Sequence, residues 1–309
     1  MAVPDFQALM LPVLKCAAQG EMTVSDCVQK AIEEFNLSSD EVNKLLPSGK
    51  QTYLNNRTHW AKFYLSRAKL VELVSRGRFR ITQRGKDLLA TAPTKISKKT
   101  LETYPEYLEW WNSVGSNPDG GQASAPIASA STSDSSTPEE EIEASHRALL
   151  AQLKAEIIDR VQTISPAAFE QLIIDLLLKM GYGGGRADMG EAIGKPGDGV
   201  IDGVIKEDPL GLDIVYIQAK RYASDHAIGR PEIQNFSGSL DGVGATKGIY
   251  VTSSSFTTGA RDYAKKIAKR IILIDGADLA RLMIQHNIGV RMKATFEIKK
   301  VDEDYFNDE

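Results

Sequence analysis

Three polar residues in the second half of the chain have the types and spacing needed to hold a metal ion against a phosphate. Asp202 opens one apolar run, and Gln218 and Lys220 end the next. Residues 208–211 (Asp-Pro-Leu-Gly), between the two runs, are typical of a tight turn, so the runs are predicted to pair as a β-hairpin. Counting outward from that turn places Asp202 opposite Gln218 or within one residue of it.

The predicted hairpin brings these side chains onto one patch of sheet. Gln218 and Lys220 share a face because successive side chains of a strand alternate. Carboxylate and carbonyl oxygens are ligands that Mg²⁺ prefers. We expect Asp202 and Gln218, with the backbone carbonyl of Ala219, to bind Mg²⁺. Lys220 would then position or polarise the attacking water and stabilise the negative charge that develops on the phosphate.

The segments around these residues resemble the Mrr family of restriction endonucleases, within the PD-(D/E)xK nuclease superfamily. The resemblance rests on Gly-Asp-Gly-Val-Ile-Asp-Gly at 197–203, Gln-Ala-Lys-Arg at 218–221, Ile-Gln-Asn-Phe-Ser-Gly at 233–238 and Lys-Gly-Ile-Tyr-Val-Thr-Ser at 247–253. It covers residues from about 150 to 290, and the N-terminal part is similar to the winged-helix module of the family. It implies a nuclease in which Gln218 stands at the middle metal-ligand position.

Three further residues are weaker candidates for the same site. Glu170 lies at the edge of the apolar stripe of a predicted helix. In nuclease folds of this kind an acidic residue on this helix often faces the active site, but a solvated acid beside the core explains Glu170 equally well. Asp198 lies in a glycine-rich loop, where a solvated Asp is the commoner case. By resemblance, Gln234 supports the site or contacts the DNA backbone.

The elements that must position the site are predicted to form an α/β nuclease domain with a central mixed sheet over residues 143–309. Its helices are predicted at 143–163, 166–180, 230–240, 258–270 and 277–287, and its later strands at 247–252 and 271–275, with 290–298 as a candidate edge strand. Strands that alternate with helices favour this architecture.

A segment without Lys, Arg or aromatic residues precedes this domain. Residues 113–142 are rich in Ser, Ala, Gly, Pro and Thr and are predicted to form a flexible linker. Three glutamates at 139–141 are expected to begin the first helix of the second domain, since acids favour a helix N-terminus. Residues 1–112 are predicted to form three helices, a β-hairpin and another helix, which is the order of a winged helix-turn-helix domain.

Basic residues are concentrated between residues 53 and 99 of this N-terminal domain (the basic segment), which contain twelve Lys or Arg and only two acids, although the chain as a whole has a net charge of −4. The third predicted helix carries polar side chains along one face, and the hairpin after it carries arginines. The candidate DNA-binding residues are Asn55, His59, Lys62, Lys69, Arg76, Arg78, Arg80 and Arg84. A winged-helix module for protein interactions is the alternative, and the arginine cluster favours DNA. His59 taken alone is more simply a polar surface residue.

Composition and spacing argue against several other classes of protein. No apolar run approaches the roughly 18 residues of a membrane span, and the N-terminus lacks a signal-peptide pattern. Cys16 and Cys27 are expected to be buried free thiols in a reducing cytoplasm. The four histidines lack zinc spacing, residues 44–52 depart from a phosphate loop, and the serines at 253–255 lack the context of a nucleophile elbow.

These observations predict a modification-directed, type IV-like endonuclease that hydrolyses phosphodiester bonds of double-stranded, methylated DNA with Mg²⁺ and no other cofactor. It would act as a homodimer or higher oligomer on DNA, in the cytoplasm of a bacterial or archaeal cell. Two alternatives stay open. One is a DNA-binding regulator with a degenerate nuclease fold, against which Asp202, Gln218 and Lys220 argue. The other is a structure-specific repair nuclease.

Overall fold

A computed structural model describes residues 2–114, 135–192, 201–208, 210–223, 225–302 and 305. The chain divides into two units. The first comprises residues 1–147 and 300–309, and the second comprises residues 148–299. Each has its own apolar core.

The first unit contains short helices and a small antiparallel sheet. Its helices are α1 (Phe6–Ala17), α2 (Val24–Phe35), α3 (Ser39–Val42), α4 (Tyr53–Arg67), α5 (Gln83–Ala90), α6 (Lys98–Leu101) and α7 (Pro105–Val114). Its strands are β1 (Met22–Thr23), β2 (Val71–Ser75) and β3 (Arg78–Ile81), in the order β1-β3-β2. Cys16 and Cys27 are buried and free within its core, as expected.

The predicted hairpin of this unit is present. Phe79 and Ile81 are buried and Arg78 and Arg80 are exposed, so the alternation along β3 is confirmed. The preceding helix α4 begins after Thr52, whose hydroxyl caps it by accepting from the Asn55 N–H at 3.2 Å. Strand β1 was not predicted, since two residues are too few to show a periodicity.

Helix α8 (Pro138–Thr163) begins before the predicted start at residue 143. Three glutamates fill its first turn, which confirms that they begin a helix, and the Thr137 hydroxyl accepts from the Glu140 N–H at 3.4 Å. The segment predicted as a linker, 113–142, therefore includes the end of α7 and the first turn of α8. Residues 115–134 lie outside the described residues.

The second unit is built on a mixed sheet, as predicted. Its strands are β4 (Gly190–Ala192), β5 (Gly203–Lys206), β6 (Ile214–Lys220), β7 (Lys247–Thr252) and β8 (Arg270–Ile274), in that spatial order. The pairs β4–β5 and β5–β6 are antiparallel, and β6–β7 and β7–β8 are parallel. Its further helices are α9 (Pro166–Lys179), α10 (Arg230–Gly242), α11 (Thr258–Lys266) and α12 (Gly276–Gln285), with 3₁₀ turns at Tyr182–Gly185 and Ala187–Met189.

Side chains that alternate along the strands point to opposite faces of the sheet and pack into two separate apolar clusters. Ile205, Ile217 and Ile249 pack with residues of α9 and α12, and Tyr250 packs with residues of α10 and α11. Helix α10 approaches β7 so closely that a Cβ on Gly248 would lie 2.8 Å from the Phe236 ring. Helices therefore cover both faces of the sheet, and a site can form only at the ends of its strands.

The predicted edge strand at residues 290–298 is wrong. The segment has no strand structure, and Met292 and Phe296 are 80% and 87% exposed. Alternating apolar residues form a strand only where a neighbouring strand completes the hydrogen bonds, and no described strand pairs with this segment. Helix α11 also ends earlier than predicted, because Ile267 adopts an extended backbone. Within the described ranges, no helix combines the length and apolar character needed to cross a membrane.

Candidate active site

The site is built where strand β5 begins and strand β6 ends. Gly203 pairs with Ile217, and the Asp202 N–H donates to the Ile217 carbonyl at 2.8 Å, so Asp202 stands opposite Gln218. The turn that sets this register is closed by the Gly211 N–H, which donates to the Asp208 carbonyl at 3.0 Å. Gly211 has φ +73°, which favours glycine. The predicted register is confirmed.

The Asp202 carboxylate is held by two donors from β6. Its Oδ2 accepts the Ala219 N–H at 2.8 Å. The Lys220 ammonium lies 3.2 Å from Oδ2 and 3.4 Å from Oδ1. Asp202 is buried and Lys220 is half-buried, so the carboxylate orientation is set by the strand while the ammonium remains accessible from solvent.

The Gln218 side chain presents a buried carbonyl. Gln218 is 4% exposed, and its Oε1 accepts no hydrogen bond from any residue in the described part of the chain. Leaving such an acceptor unpaired costs about 1–3 kcal/mol. A cation would satisfy this oxygen, so its environment fits a ligand of the hard, oxygen-binding ions such as Mg²⁺.

The acidic residues alone would not complete a metal site. Among the residues that the structure describes, no three His, Cys, Asp or Glu side chains converge on one point. An ion beside Asp202 would therefore depend on the Gln218 carbonyl, main-chain oxygens and oxygens of the substrate. This donor set fits an ion that binds together with a phosphate.

Helix α9 carries Glu170 close enough to the site to interact with it. Partial burial raises the pKa of the Glu170 carboxyl, and the negative charge of Asp202 raises it further, while Lys220 acts in the opposite direction. Glu170 therefore keeps its proton to a higher pH than a solvated glutamate does, and it becomes charged only above that range. A solvated acid remote from Asp202 would not show this coupling.

The other predicted residues of the site are placed less closely. Gln234 is exposed on α10, and Ala219 pairs with Val251 in the β6–β7 ladder. Asp198 lies outside the described residues. The ligand role of the Ala219 carbonyl remains a prediction.

Two residues of β7 that support the site were not among the predicted site residues. Tyr250 lies beside Gln218 in the parallel ladder and is buried. The Thr252 hydroxyl donates to the Lys220 carbonyl at 2.9 Å. A run of Ser and Thr directly after an apolar strand was the available signal, because hydroxyls at the carboxyl edge of a sheet are placed to bond neighbouring backbone.

The predicted DNA-binding residues of the first unit fall into two groups. Six are exposed, namely Asn55, His59, Lys69, Arg76, Arg78 and Arg80. Lys62 and Arg84 are half-buried. Arg84 bonds the Glu106 carboxylate at 2.8 Å and lies over the Tyr104 ring, so much of its side chain serves packing between α5 and α7. Arg80 pairs with Glu72 at 2.7 Å, where both side chains are about half exposed.

Comparison with known proteins gives the following similarities. A family model described as a restriction endonuclease (Mrr_cat) matches residues 161–283, and the Mrr N-terminal domain model matches residues 6–91. The type IV methyl-directed restriction enzyme EcoKMrr of Escherichia coli (strain K12) is 34% identical over 311 residues, which cover 99% of this chain and 100% of that protein.

Two solved structures are more distantly similar. The MspJI restriction endonuclease, in complex with a 27-mer oligonucleotide, is 22% identical with a TM-score of 0.33, over 52% of this chain and 36% of that chain. The DNA modification-dependent restriction endonuclease AspBHI is 16% identical with a TM-score of 0.33, over 72% of this chain and 56% of that chain. TM-scores of this size support no further argument.

Proposed function

The chain belongs to the Mrr family of restriction endonucleases, and from this membership we propose that it is a type IV enzyme that cleaves methylated, double-stranded DNA with Mg²⁺. The observation that carries the proposal is the meeting of Asp202 and Lys220 beside Gln218, whose buried carbonyl has no donor among the described residues. The 34% identical relative is a type IV methyl-directed restriction enzyme, which supports the substrate class.

The site residues would divide the chemistry among them. Asp202 and Gln218, with the Ala219 carbonyl, would hold Mg²⁺, which as a Lewis acid would polarise the scissile phosphate. The Lys220 ammonium would orient the attacking water and offset the charge of the pentavalent transition state. Glu170, once ionised, would accept a hydrogen bond from that water, and Gln234 would contact the DNA backbone beside it.

We also propose that the first unit is a winged-helix module that binds DNA. Helix α4 would enter the major groove with Asn55, His59 and Lys62, and the β2–β3 hairpin would be the wing. The remaining candidates, Lys69, Arg76, Arg78, Arg80 and Arg84, would contact phosphates. Cutting both strands requires two active sites, so the proposal includes a dimer or higher oligomer on DNA.

Cleavage of matched plasmids tests the proposed function. The chain should cut methylated plasmid in Mg²⁺, leave the unmethylated plasmid intact, and cut neither in EDTA. A branched duplex provides the third substrate. Preference for the branched, unmethylated duplex would favour a structure-specific repair nuclease, and binding without cleavage at every Mg²⁺ concentration would favour a regulator with a degenerate site.

Substituting the wing arginines should weaken DNA binding in a salt-dependent way. Changing Arg76, Arg78 and Arg80 together to Gln removes up to three phosphate contacts, so the slope of log K against log salt should flatten by up to roughly 2.7 units, about 0.9 per contact. Fluorescence anisotropy of a labelled duplex in EDTA measures that slope for the full chain.

A matched variant removes positive charge outside the basic segment. Lys15→Gln with Lys50→Gln changes two exposed lysines of the same unit and should leave the slope within error of the parent. A triple variant with the parent slope would move the DNA-binding surface away from the wing.

A further inference from the structure

The segment that follows Lys220 is held by buried hydroxyls from the end of β7. The Ser253 hydroxyl donates to the Tyr222 carbonyl at 2.7 Å and accepts the Tyr222 N–H at 2.9 Å. The Ser254 hydroxyl donates to the His226 carbonyl at 2.6 Å. The β6–β7 ladder ends at Lys220 and Thr252, so these side chains continue the connection where backbone pairing stops.

The hydroxyls are themselves fixed from the other side. Helix α12 begins against them, with the Gly276 N–H donating to the Ser254 carbonyl at 2.8 Å. A Cβ at Gly276 would lie 2.5 Å from the Ser253 carbonyl oxygen, so the contact requires glycine. Ser253 and Ser254 are 2% and 7% exposed. The backbone at Tyr222 and His226 therefore has little freedom to move.

This backbone displays two adjoining rings at the carboxyl end of β6. The rings of Tyr222 and His226 lie 4.4 Å apart between centroids and are inclined at 47°. Tyr222 is half-buried and His226 is exposed, so part of the pair faces solvent. Tyr222 lies two residues beyond Lys220, the last residue of β6, so the ring pair lies at the end of the sheet that carries Gln218 and Lys220.

We propose that the Tyr222–His226 ring pair is a DNA-contacting site that packs against the nucleotide flanking the scissile phosphate. The proposal rests on the proposed nuclease function. A phenol ring offers a large apolar surface with a polar end, which suits the sugar and base of a nucleotide, and the imidazole offers a donor to a phosphate. Ser253 and Ser254 are positioning residues, since they act only through the backbone that carries the rings.

Rings that served only the fold would be expected in one of the apolar clusters. Tyr222 packs at the edge of the apolar cluster that contains Tyr250 and residues of α10, whereas His226 is exposed. The Ser253 and Ser254 hydroxyls bind three backbone atoms of the loop that carries the rings, and packing of the apolar core does not require this loop conformation. A loop conformation that is fixed beside the proposed phosphate site is suited to contact the substrate.

Single-turnover cleavage of a methylated duplex by the full chain tests the ring pair. Tyr222→Ala should raise the DNA concentration for half-maximal rate by about tenfold, which lies in the range for loss of one base–aromatic contact, while the maximal rate falls less. Tyr222→Phe keeps the ring and should stay within about twofold of the parent. His226→Ala and Ser253→Ala should shift half-saturation in the same direction, with an unchanged Mg²⁺ requirement.

Phe296→Ala provides the control, because it removes an 87% exposed ring elsewhere in the second unit and should behave as the parent. Photocrosslinking of the parent to a duplex with a halogenated pyrimidine near the cut covers the case in which Tyr222→Ala unfolds, and the crosslink should map to residues 222–226. Parent half-saturation in a folded Tyr222→Ala, or a crosslink elsewhere, would overturn the proposal. If the parent cuts no duplex but Tyr222→Ala still weakens DNA binding, the result would contradict the nuclease function and leave the ring-pair proposal standing.

Discussion

Asp202→Asn and Lys220→Met should each lower the rate of DNA cleavage by at least about a hundredfold, while the chain stays folded and binds DNA. Asn keeps an oxygen that can accept the Ala219 N–H, which Asp202 accepts at 2.8 Å, and removes only the charge. Asp202→Ala would leave that buried N–H unpaired at a cost of about 1–3 kcal/mol, so it would mix a folding defect with the chemical one. Single-turnover kinetics measure the cleavage rate, fluorescence anisotropy measures DNA binding, and thermal unfolding measures whether the chain stays folded.

A second lysine of the same sheet provides the control for Lys220. Lys247 begins β7 and pairs with Glu207 at 2.6 Å and Asp213 at 3.0 Å, so Lys247→Met also removes an ammonium from an ion pair on a strand. It should cleave as the parent does. Cleavage at the parent rate by Asp202→Asn or by Lys220→Met would remove that residue from the proposed chemistry.

Glu170→Gln distinguishes the two interpretations of Glu170. In the parent, burial and Asp202 raise the Glu170 pKa, so its charge should be lost, and cleavage should fall, at a higher pH than for a solvated glutamate. The Gln variant has no such ionisation, so its rate should be low and lack this acidic decline. A variant with the parent rate and the parent pH profile would identify Glu170 as a solvated acid beside the core.

Gln218→Leu should abolish Mg²⁺-dependent cleavage and leave the free energy of unfolding equal to or higher than that of the parent. The reason is the buried Oε1, which has no donor among the described residues. Replacing it by an apolar group of similar bulk removes an unpaired acceptor together with the metal ligand. Magnesium titrations of cleavage and denaturant unfolding in EDTA measure the two effects.

Gln218→Glu should shift the Mg²⁺ requirement to lower concentration, because a carboxylate adds negative charge where the cation binds. Without Mg²⁺ the new carboxylate lies near Asp202, so this variant should be less stable than the parent in EDTA and gain more stability when Mg²⁺ is added. Its cleavage rate depends also on Lys220, which lies on the same face and can pair with the new carboxylate.

Another buried glutamine gives the matched control for Gln218→Leu. The Gln7 carbonyl accepts the Lys98 N–H at 2.9 Å, so Gln7→Leu should destabilise the first unit without changing the Mg²⁺ requirement. If Gln218→Leu instead cleaves as well as the parent at every Mg²⁺ concentration, Gln218 is a structural residue and the metal ligands lie elsewhere.

Features that depend on near neighbours in the chain could be predicted from the amino-acid sequence alone. The turn at residues 208–211 and the two-residue period of a strand predicted Asp202 opposite Gln218 or within one residue of it, and the structure has the two residues opposite each other. The alternation along β3 and the helical turn at the three glutamates of α8 were predicted from equally local patterns. These predictions hold because a tight turn fixes the register of its own hairpin and because acids stabilise the helix end that they occupy.

Features that depend on residues far apart in the chain required the folded structure. The approach of Glu170 to Asp202, the pairing of Arg84 with Glu106 and the burial of the Gln218 carbonyl all arise from packing between distant elements. The segment at 290–298 has the alternation of a strand, but no described strand lies beside it to pair with. A strand forms only where a neighbouring strand pairs with its backbone. The pKa of a side chain, and whether its polar atoms are paired, depend on the residues that surround it in the fold. The local sequence pattern specifies neither of these.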